Sequence, residues 1–458
     1  MPAPMPSRIQ LFSGWGNFPV AHCYSYRPEK QKQINYLYQT LEEHILARGM
    51  GMSYGDASLN PTAIIQMERL NRFLGFDKAH GIIHVQAGVT LAEIIDISVP
   101  SGWFLPVIPG TKYASVGGCI ACNTHGKNHY KRGDIARHVI DIALRLASGE
   151  LIHCSPQNEV DIFWATAGGM GMTGTIEEVT LQLMPITTAF MDTESVQVEN
   201  LEDMIKRFEE NIDKAEYLVG WIDHFAKRKS LGKGIFEKAN HVDAPGSTPV
   251  ISVLDGQQEK KLNIPFFTPG FLLNKYTMAC YNRLQFRHVE KYPTEQVKDF
   301  SGFFHPLDRI GHWNRLYGRK GFFQYQCMIP KSEKMLEQLR HILQTIQKSG
   351  LFSFLAVIKY HGPHQGMLSF PIEGFSLALD FPNTSKVRAL LDILDAYVAD
   401  IGGRVYLAKD ARMKPEYFEK MYADQLPQWR KIVKELDPKG KHCSNMAKRL
   451  RFRDDLGT

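Results

Sequence analysis

No stretch of the 458-residue sequence comes near the roughly 18 uncharged apolar residues that a membrane-spanning helix requires. The segment from Met1 to Phe12 contains prolines and no apolar run, so we expect no secretory signal. The seven cysteines are an odd number, and only Cys119 and Cys122 stand close together. Because a second pair at zinc spacing is missing, we expect no metal site, and the cysteine usage favours a reducing compartment. These absences predict a cytoplasmic protein without disulfides.

The sequence also lacks a large excess of either positive or negative charge. The formal net charge is only +6 and the basic residues are scattered, so we expect no nucleic-acid partner. The exception is the run from Lys448 to Arg453, which predicts either a solvated end or a patch for anionic lipid or phosphate. Hydrophobic residues make up 44% and charged residues 22% of the chain, an ordinary globular balance. The length predicts two or three packed units.

The first 185 residues alternate between strand and helix signals. Ile82 to Ala87 has the pattern of a strand, and Thr90-x-x-Glu93 is a capping box that opens a helix through Ser98. The run from Val139 to Leu146 predicts a strand that turns back as a hairpin, and Thr175 to Leu183 predicts another strand. This mixture indicates an α+β fold.

A second region, residues 315 to 408, has a clearer order. Its spacing predicts strands over 322–328, 354–360, 375–381 and 404–408, with helices over 332–348 and 385–401. The order β-α-β-β-α-β is typical of a split, ferredoxin-like sheet. Residues 228 to 300 lack such a period, and long loops of this kind are usually functional or mobile.

Glycine-rich segments carry the strongest chemical signal. Arg48 to Asp56 contains three closely spaced glycines, which allow sharp turns and bring backbone N–H groups close to an anion. It has neither Gly-Lys-Ser/Thr nor G-x-G-x-x-G, so it is no Walker or Rossmann loop. Taken alone, it is either an anion cradle or an ordinary glycine turn.

Two further segments favour the cradle. Small residues dominate from Pro109 to Asn128, and Phe163 to Gly171 adds another glycine cluster before a strand. A backbone that must lie against a large flat ligand needs such residues. The three segments, in this order, resemble the FAD-binding domain of the vanillyl-alcohol oxidase superfamily over about residues 15 to 190. The resemblance implies that the first loop wraps the pyrophosphate and the second lines the isoalloxazine ring.

A closer resemblance runs nearly from end to end. His125 to His129, Phe163 to Thr166, Tyr406 to Asp410 and Ser444 to Leu450, together with the first loop, are similar to the decaprenylphosphoryl-β-D-ribose 2'-oxidase family. It implies a two-subdomain FAD-binding domain over residues 1–190 and an α+β substrate cap with a split sheet over residues 191–405. Residues 406–458 would return to the FAD domain.

The resemblance also implies which residues hold FAD. They are Arg48, Gly49, Met50, Gly51, Met52, Ser53, Tyr54, Gly55, Asp56, Gly110, Ser115, Val116, Gly117, Gly118, Cys122, Asn123, His125, Gly126, Asn128, Ile176 and Tyr406. Many members of the superfamily bond the flavin through a histidine at the position of Met52. A thioether cannot form that bond, so we expect FAD to be bound non-covalently.

The same resemblance places Lys409, Lys359 and His125 by the flavin and substrate as candidate catalytic residues. Lys409 would act as a base or stabilise charge because a desolvated lysine has a depressed pKa, unless it forms a salt bridge with Asp410. Lys359 would bind substrate or be a solvated strand lysine. His125 would relay a proton or hydrogen-bond the backbone. Gln324 and Gln326 alternate on one strand, point the same way and would line the substrate pocket.

The implied reaction is oxidation of the 2'-hydroxyl of a polyprenylphosphoryl-β-D-ribose to a 2'-keto sugar. A separate NAD(P)-dependent short-chain reductase would complete the epimerisation to an arabinose donor for bacterial cell-envelope glycans. The apolar segment from Ile264 to Phe271 would contact the inner membrane peripherally, bind the polyprenyl chain, or pack on the cap. Two alternatives stay open: an alditol or sugar-lactone oxidase acting on a soluble substrate, and a non-catalytic flavin- or lipid-binding protein.

Overall fold

The N-terminal part of the chain forms small sheets joined by short helices. The structure, a computed structural model, describes residues 5–42, 44–243, 262–269, 274–289 and 294–453. The first strands are β1 (Arg8–Ser13), β2 (Val20–Tyr26), β3 (Leu46–Arg48), β4 (Ile64–Gln66), β5 (Phe73–Asp77), β6 (Ile82–Gln86), β7 (Trp103–Phe104), β8 (Val139–Arg145), β9 (Leu151–Cys154), β10 (Thr175–Gln182) and β11 (Met184–Pro185). The first helices are α1 (Gln31–Thr40), α2 (Leu91–Ser98), α3 (Val116–Ala121), α4 (His129–Arg132) and α5 (Val160–Thr166).

These strands build two main sheets. The first has the order β1-β2-β4-β3, and β4 lies parallel to both of its neighbours. The second is antiparallel, with the order β5-β6-β10-β8-β9, and β7 pairs separately with β11. The predicted capping box is confirmed, because the Glu93 backbone N–H donates to Thr90 Oγ1 while Glu93 Oε2 accepts from the Thr90 N–H. It fixes the start of α2 directly after β6.

The rest of the chain contains further strands, several of them longer and three of only two residues. They are β12 (Phe190–Val198), β13 (Tyr217–Ile222), β14 (Gly234–His241), β15 (Leu262–Asn263), β16 (Thr294–Asp299), β17 (Ile310–Gly311), β18 (Phe322–Pro330), β19 (Ala356–His361), β20 (Gly374–Pro382) and β21 (Arg404–Val405). The helices are α6 (Leu201–Asn211), α7 (Lys275–His288), α8 (Phe300–Phe304), α9 (Met335–Lys348), α10 (Ser385–Asp400), α11 (Pro415–Met421), α12 (Leu426–Leu436) and α13 (Asn445–Arg449).

One antiparallel sheet of eight strands runs through this region in the order β16-β12-β14-β13-β19-β20-β18-β21. It consists of two β-α-β-β-α-β units, β12-α6-β13-β14-α7-β16 and β18-α9-β19-β20-α10-β21. In each unit the strand order is fourth, first, third, second, which is the ferredoxin-like order. The units meet edge to edge through their second strands, β13 and β19. The protein is therefore a mixed α+β fold.

The two faces of this sheet differ. Phe208 on α6 packs edge-on against Phe236 of β14 and Phe375 of β20, and α9 and α10 continue the same apolar layer. Val196 and Ile358 lie in this layer with almost no exposed surface. We call this the outer face. The alternate residues of each strand point the other way, towards the glycine-rich loops, and form the inner face.

The structure corrects the sequence-based prediction at two places. Residues 228 to 300 are not irregular throughout, since β14, α7 and β16 lie within them and complete the first unit. Strand β16 is an edge strand with mostly polar residues, so it carries no hydrophobic alternation. The last strand ends at Val405, and Leu407–Lys409 forms a tight 3₁₀ turn instead of continuing it.

The apolar segment from Ile264 to Phe271 is described only as far as Pro269. Its carbonyl oxygens at Ile264 and Pro265 accept hydrogen bonds from the Arg315 guanidinium at 2.9 and 3.0 Å. The Phe266 side chain is 67% exposed. Phe271 and the two leucines that follow lie outside the described residues. Among the helices that the structure describes, none is long and apolar enough to cross a membrane.

The C-terminal segment packs back onto the N-terminal sheets. The Ile45 N–H donates to the Lys441 carbonyl at 2.7 Å, and the Cys443 N–H donates to the Ile45 carbonyl at 3.1 Å. Arg449 forms a bidentate ion pair with Asp56, at 2.7 and 2.8 Å, and a second pair with Asp410 at 2.8 Å. The basic run from Lys448 to Arg453 is thus not simply a solvated end, because Arg449 forms ion pairs with two buried carboxylates.

We expect the Arg449→Gln variant to lose about 3 kcal/mol of unfolding free energy, because it leaves two buried carboxylates without their cation. Guanidinium unfolding of the apoprotein measures this loss. The matched control is Lys431→Gln, whose lysine forms an exposed pair with Glu435 at 4.0 Å and should change stability by less than about 0.5 kcal/mol. Equal small losses in both variants would contradict the structural role of Arg449.

Candidate active site

The first glycine loop, Arg48 to Asp56, follows β3 and is fixed by backbone hydrogen bonds. The Trp15 N–H donates to the Ser53 carbonyl at 2.8 Å, and the Tyr54 N–H donates to the Ala408 carbonyl at 2.8 Å. A Cβ on Gly55 would lie 1.9 Å from the Asp410 carbonyl oxygen, so only glycine permits this approach. We call this contact between the first loop and residues 408–410 the loop junction. It places Lys409 directly beside the loop.

The charged side chains of the first loop are occupied by the protein itself. The Arg48 guanidinium donates to the Ser13 carbonyl at 2.7 Å and to Ser58 Oγ at 2.6 Å. The Asp56 carboxylate is held by Arg449. Gly51 adopts a left-handed backbone with φ of 67°, and the residues from Met50 to Tyr54 keep some exposed surface. The loop can therefore meet a ligand with backbone N–H groups and not with Arg48 or Asp56 side chains.

The second loop reaches the same place from β6. The Val116 and Gly117 N–H groups donate to the Val89 and Ala87 carbonyls at 2.8 and 2.9 Å. A Cβ on Gly117 would lie 2.7 Å from Ala87 Cβ, and one on Gly49 would lie 2.1 Å from Ser115 Oγ. The two glycine loops thus touch at Gly49 and Ser115.

The remaining residues predicted to hold the cofactor lie along this second loop or near it. A Cβ on Gly110 would meet no atom within 4 Å, whereas one on Gly118 would meet only Ser115 Oγ, at 3.1 Å. Ile176 is buried on β10. The Cys122 carbonyl accepts from the Tyr406 hydroxyl at 3.1 Å. A side chain at Gly110 would thus extend into open space.

Two asparagines of the loop hold neighbouring segments. The Asn123 amide donates to Ser369 Oγ at 3.3 Å, and the Asn128 amide donates to the Pro106 carbonyl at 2.9 Å. A Cβ on Gly126 would lie 2.7 Å from Asn128 Oδ1. Several buried polar atoms in the described part of this site form no hydrogen bond within the protein, among them His125 Nδ1, Asn128 Oδ1 and Gln326 Oε1.

These observations fit FAD. A cradle of glycines, several of which leave no room for a Cβ, suits a long diphosphate, because it brings N–H groups within reach of the oxygens. Buried polar atoms without partners suit the polar edge of a flavin ring, since such atoms otherwise cost free energy. Met52 offers no atom that could form a histidyl bond to the ring.

The inner face of the eight-stranded sheet forms the opposite wall. Gln324 and Gln326 lie on β18, with Asp380 and Ala378 directly opposite them on β20. Lys359 on β19 stands opposite Ser376. Since alternate residues share a face, these side chains point into one space. The structure therefore places Gln324, Gln326 and Lys359, three of the four residues predicted to bind substrate, on one face of the sheet.

His125 connects the second loop to this wall. Gln326 Nε2 lies 2.9 Å from His125 Nε2, and in this orientation the amide donates, so the ring proton lies on Nδ1. The imidazole packs against His361 and Tyr406, each 5.0 Å away between ring centroids. Burial, followed by the nearby His361 and Lys359, holds the pKa of His125 well below its usual range. His125 is thus neutral at physiological pH.

Two lysines stand in the pocket with depressed basicity. Burial, reinforced by Lys359 and opposed by Asp380, lowers the pKa of Lys409 to about 7. Burial lowers the pKa of Lys359 to about 8. Lys409 Nζ lies 5.7 Å from the centre of the Tyr54 ring. The salt bridge with Asp410 is not formed, because Asp410 pairs with Arg449 instead.

Asp380 is a site residue that the sequence-based prediction missed. Its carboxylate accepts from Gln324 Nε2 at 2.7 Å and from the Tyr317 hydroxyl at 3.1 Å. Burial raises its pKa to about 6, although Gln324 and the Lys409 cation oppose the shift. The signal that could have identified it is a lone carboxylate in an otherwise apolar strand, Gly374–Pro382.

Lys127 was also overlooked, although it lies inside a motif that carried the resemblance. Its Nζ donates to the Phe303 carbonyl at 2.6 Å and lies 3.8 Å from the centre of the Phe303 ring. Burial lowers its pKa to about 8, and Lys359 adds to the shift. Three partly buried lysines thus line the pocket, and Lys359 acts electrostatically on both Lys127 and Lys409.

Comparisons with known proteins agree with this geometry. The family described as FAD binding domain matches residues 25–155. A decaprenylphosphoryl-beta-D-ribose oxidase from Mycolicibacterium smegmatis is 34% identical over 98% of this chain and 98% of its own length. An uncharacterized protein in the mprA 5' region of Streptomyces coelicolor is 29% identical over 79% of this chain and 100% of its own length. L-gulonolactone oxidase from Mus musculus is 29% identical, but the match covers 43% of this chain and 47% of that enzyme.

We expect Gly55→Ala to weaken FAD binding about tenfold, because the added methyl collides with the Asp410 backbone and opens the loop junction. The flavin-to-protein absorbance ratio after gel filtration measures the loss. Gly75→Ala is the control, since a Cβ there would meet only His84 Cβ, at 4.0 Å. Full flavin retention in Gly55→Ala would show that the loop does not need this approach.

Proposed function

Because the chain belongs to the decaprenylphosphoryl-beta-D-ribose oxidase family of FAD-dependent oxidoreductases, we propose that it oxidises the 2'-hydroxyl of a polyprenylphosphoryl-β-D-ribose to the 2'-keto sugar. The observation that carries this proposal is the pairing of a flavin cradle with a wall that carries partly buried lysines. Among the described residues, neither Lys359 nor Lys409 forms an ion pair within 4.0 Å. Such a wall suits a substrate that brings its own negative charge.

The phosphate of the substrate would supply that charge. Lys359 adds to the lowering of the pKa of both Lys127 and Lys409, while Glu237 opposes it at Lys127 and Asp380 opposes it at Lys409. A phosphodiester beside Lys359 would offset this repulsion and favour the charged form of Lys359. A neutral alditol or lactone would not do so.

Lys409 is the proposed base. FAD, when bound, supplies the acceptor for the hydride of the alcohol C–H bond. Oxidation also requires that the hydroxyl lose its proton, and Lys409 Nζ can take it when neutral. Its pKa of about 7 leaves a large neutral fraction at physiological pH, which an exposed lysine would lack.

Other residues of the pocket would orient the sugar. Gln324 and Gln326 lie on the inner face of β18, and their amides can donate to or accept from hydroxyl groups. Asp380 fixes the Gln324 amide, and His125 fixes that of Gln326. We propose that Lys359 binds the phosphate. His125 would hold the second loop in place against β18 through its hydrogen bond with Gln326.

The proposed division of the chain follows from these roles. Residues 1–190 would bind FAD, residues 191–405 would form the cap that receives substrate, and residues 406–458 would close the FAD domain. The product would pass to a separate NAD(P)-dependent short-chain reductase that completes the epimerisation to the arabinose donor. We further propose that the protein meets its lipid substrate at the inner membrane, by peripheral contact.

Anaerobic mixing with farnesylphosphoryl-ribose tests the function. Loss of the flavin absorbance at saturating substrate would support it. No bleaching by this compound, combined with bleaching by free alditols or sugar lactones, would favour the soluble-substrate oxidase. No bleaching by any sugar alcohol would favour a binding protein.

The second-order rate constant of flavin reduction should rise between about pH 6 and pH 8, because Lys409 must be neutral to accept a proton. Lys359→Met should move the midpoint upward, since it removes a like charge that disfavours the Lys409 cation. Lys409→Met should lose about 10²- to 10⁴-fold in rate and the pH dependence with it. A Lys409→Met profile that keeps the wild-type midpoint would exclude Lys409 as the base.

FAD should leave the protein on denaturation, because Met52 cannot form a histidyl bond to the ring. After precipitation with trichloroacetic acid, the yellow chromophore is expected in the supernatant, with the mass of intact FAD. Colour that stays in the pellet would refute non-covalent binding.

A further inference from the structure

A row of directly paired side chains crosses the inner face of the eight-stranded sheet. Its members, each opposite the next on the neighbouring strand, are Gln326, Ala378, Val357, Trp221, Ile235 and Gln197. Neighbouring strands lie about 4.8 Å apart, so the four steps from Gln326 to Ile235 cover about 19 Å. The row begins beside His125 and leads away from the flavin cradle.

The middle of this row is apolar and still accessible. Val357, Trp221 and Ile235 each keep part of their surface exposed, although they lie on the inner face. On the outer face of the same strands, Ile358 and Phe236 are buried. Apolar side chains that stay accessible inside a cleft are typical of a binding surface for an apolar ligand. The packing of the fold alone does not use them.

Helix α7 lies across the far end of the row. Gln197 Nε2 donates to the Phe286 carbonyl at 2.9 Å, and Asn282 Nδ2 donates to Asp223 Oδ1 at 2.9 Å. The Lys233 ammonium lies 4.0 Å from the centre of the Phe286 ring. All these contacts are made on the inner face, whereas α6, α9 and α10 cover the outer face. The sheet therefore lies on one side of the space along this row, and α7 covers the other side at the end near Gln197.

A second row runs beside the apolar one, displaced by two residues along each strand. It mixes polar side chains with Met328 of β18, opposite Ser376, and Val219 of β13, opposite Glu237. Ser376 stands opposite Lys359, and Ser195 stands opposite Glu237, which accepts from the Lys298 ammonium at 2.9 Å. Lys359 and Val357 are alternate residues of β19, so the cation and the apolar row are neighbours on one face. An amphipathic ligand with one anionic group matches this pair of rows.

We propose that the apolar row of Val357, Trp221 and Ile235 binds the first isoprene units of the substrate's polyprenyl chain. This inference rests on the proposed function and extends it from the sugar to the lipid. The phosphate lies at Lys359, and the chain runs under α7 towards the surface. The occupant is the substrate's own chain and not a partner protein, because the row is continuous with the residues beside the flavin cradle.

Binding of prenyl phosphates to the FAD-loaded protein tests this proposal without turnover. Farnesyl phosphate and a phosphate that carries one isoprene unit are titrated by calorimetry into wild type, Ile235→Gln, Trp221→Leu and Val297→Gln. Val297 is 67% exposed and lies on the outer face of the same sheet, so it is the matched control. Trp221→Leu keeps an apolar side chain and remains informative if Ile235→Gln does not fold.

We expect wild type to bind farnesyl phosphate more tightly than the short phosphate. Ile235→Gln should reduce this preference about tenfold, because a polar amide replaces apolar contact area, and Trp221→Leu should reduce it less. Val297→Gln should leave it unchanged. A preference that survives in both row variants, or is missing from wild type, would overturn the proposal.

The outcome is separable from that of the proposed function. A row-dependent preference for farnesyl phosphate, in a protein whose flavin no ribosyl phosphate reduces, would support the lipid site and contradict the oxidation. Flavin reduction by ribosyl phosphates of any chain length, with no row dependence of binding, would support the oxidation and overturn the lipid site.

Discussion

The geometry of the site depends on the loop junction. There, the first glycine loop and the turn that carries Lys409 share a backbone hydrogen bond, from the Tyr54 N–H to the Ala408 carbonyl at 2.8 Å. Gly55 allows the two backbones to approach so closely that no side chain fits between them. Arg449 then holds a carboxylate on each partner, Asp56 and Asp410. Because all of these groups are buried or nearly so, the position of the base relative to the cofactor loop is fixed by the fold itself.

The electrostatics of the pocket follow from the same arrangement. Taking a cation out of water disfavours its charged form, and placing several cations together adds to that penalty. This penalty lowers the pKa of Lys127, Lys359 and Lys409. Asp380 opposes the lowering of the pKa only at Lys409. The result is a lysine, Lys409, that can take up a proton at neutral pH, which a solvated lysine cannot do because it is already protonated.

Part of this molecule could be predicted from its sequence. The capping box of α2 and the strand and helix order of residues 322–400 are local signals with a clear period, and the structure contains them. The glycine loops were detectable because small residues are concentrated there. The edge strand β16 and the helix α7 carry no such period, so the first ferredoxin-like unit was missed.

What local signals could not supply is the set of contacts between distant segments. Nothing in the sequence pairs Gly49 with Ser115, or directs Asp410 to Arg449 instead of its neighbour Lys409. Asp380 was overlooked because its importance comes from Gln324 and Tyr317, which reach it from other elements. The register of the sheet likewise decides which side chains share the inner face, and only the pairing of β13 with β19 joins the two halves of that face.

The return of the chain to its beginning has a consequence for biosynthesis. Ile45 pairs with residues 441 and 443, and Asp56 pairs with Arg449, so the first loop is complete only after nearly the whole chain has left the ribosome. The N-terminal sheets can form early, but the cradle stays unfinished while the eight-stranded sheet is synthesised. The first loop therefore reaches its final contacts only once residues 441 to 449 have been synthesised.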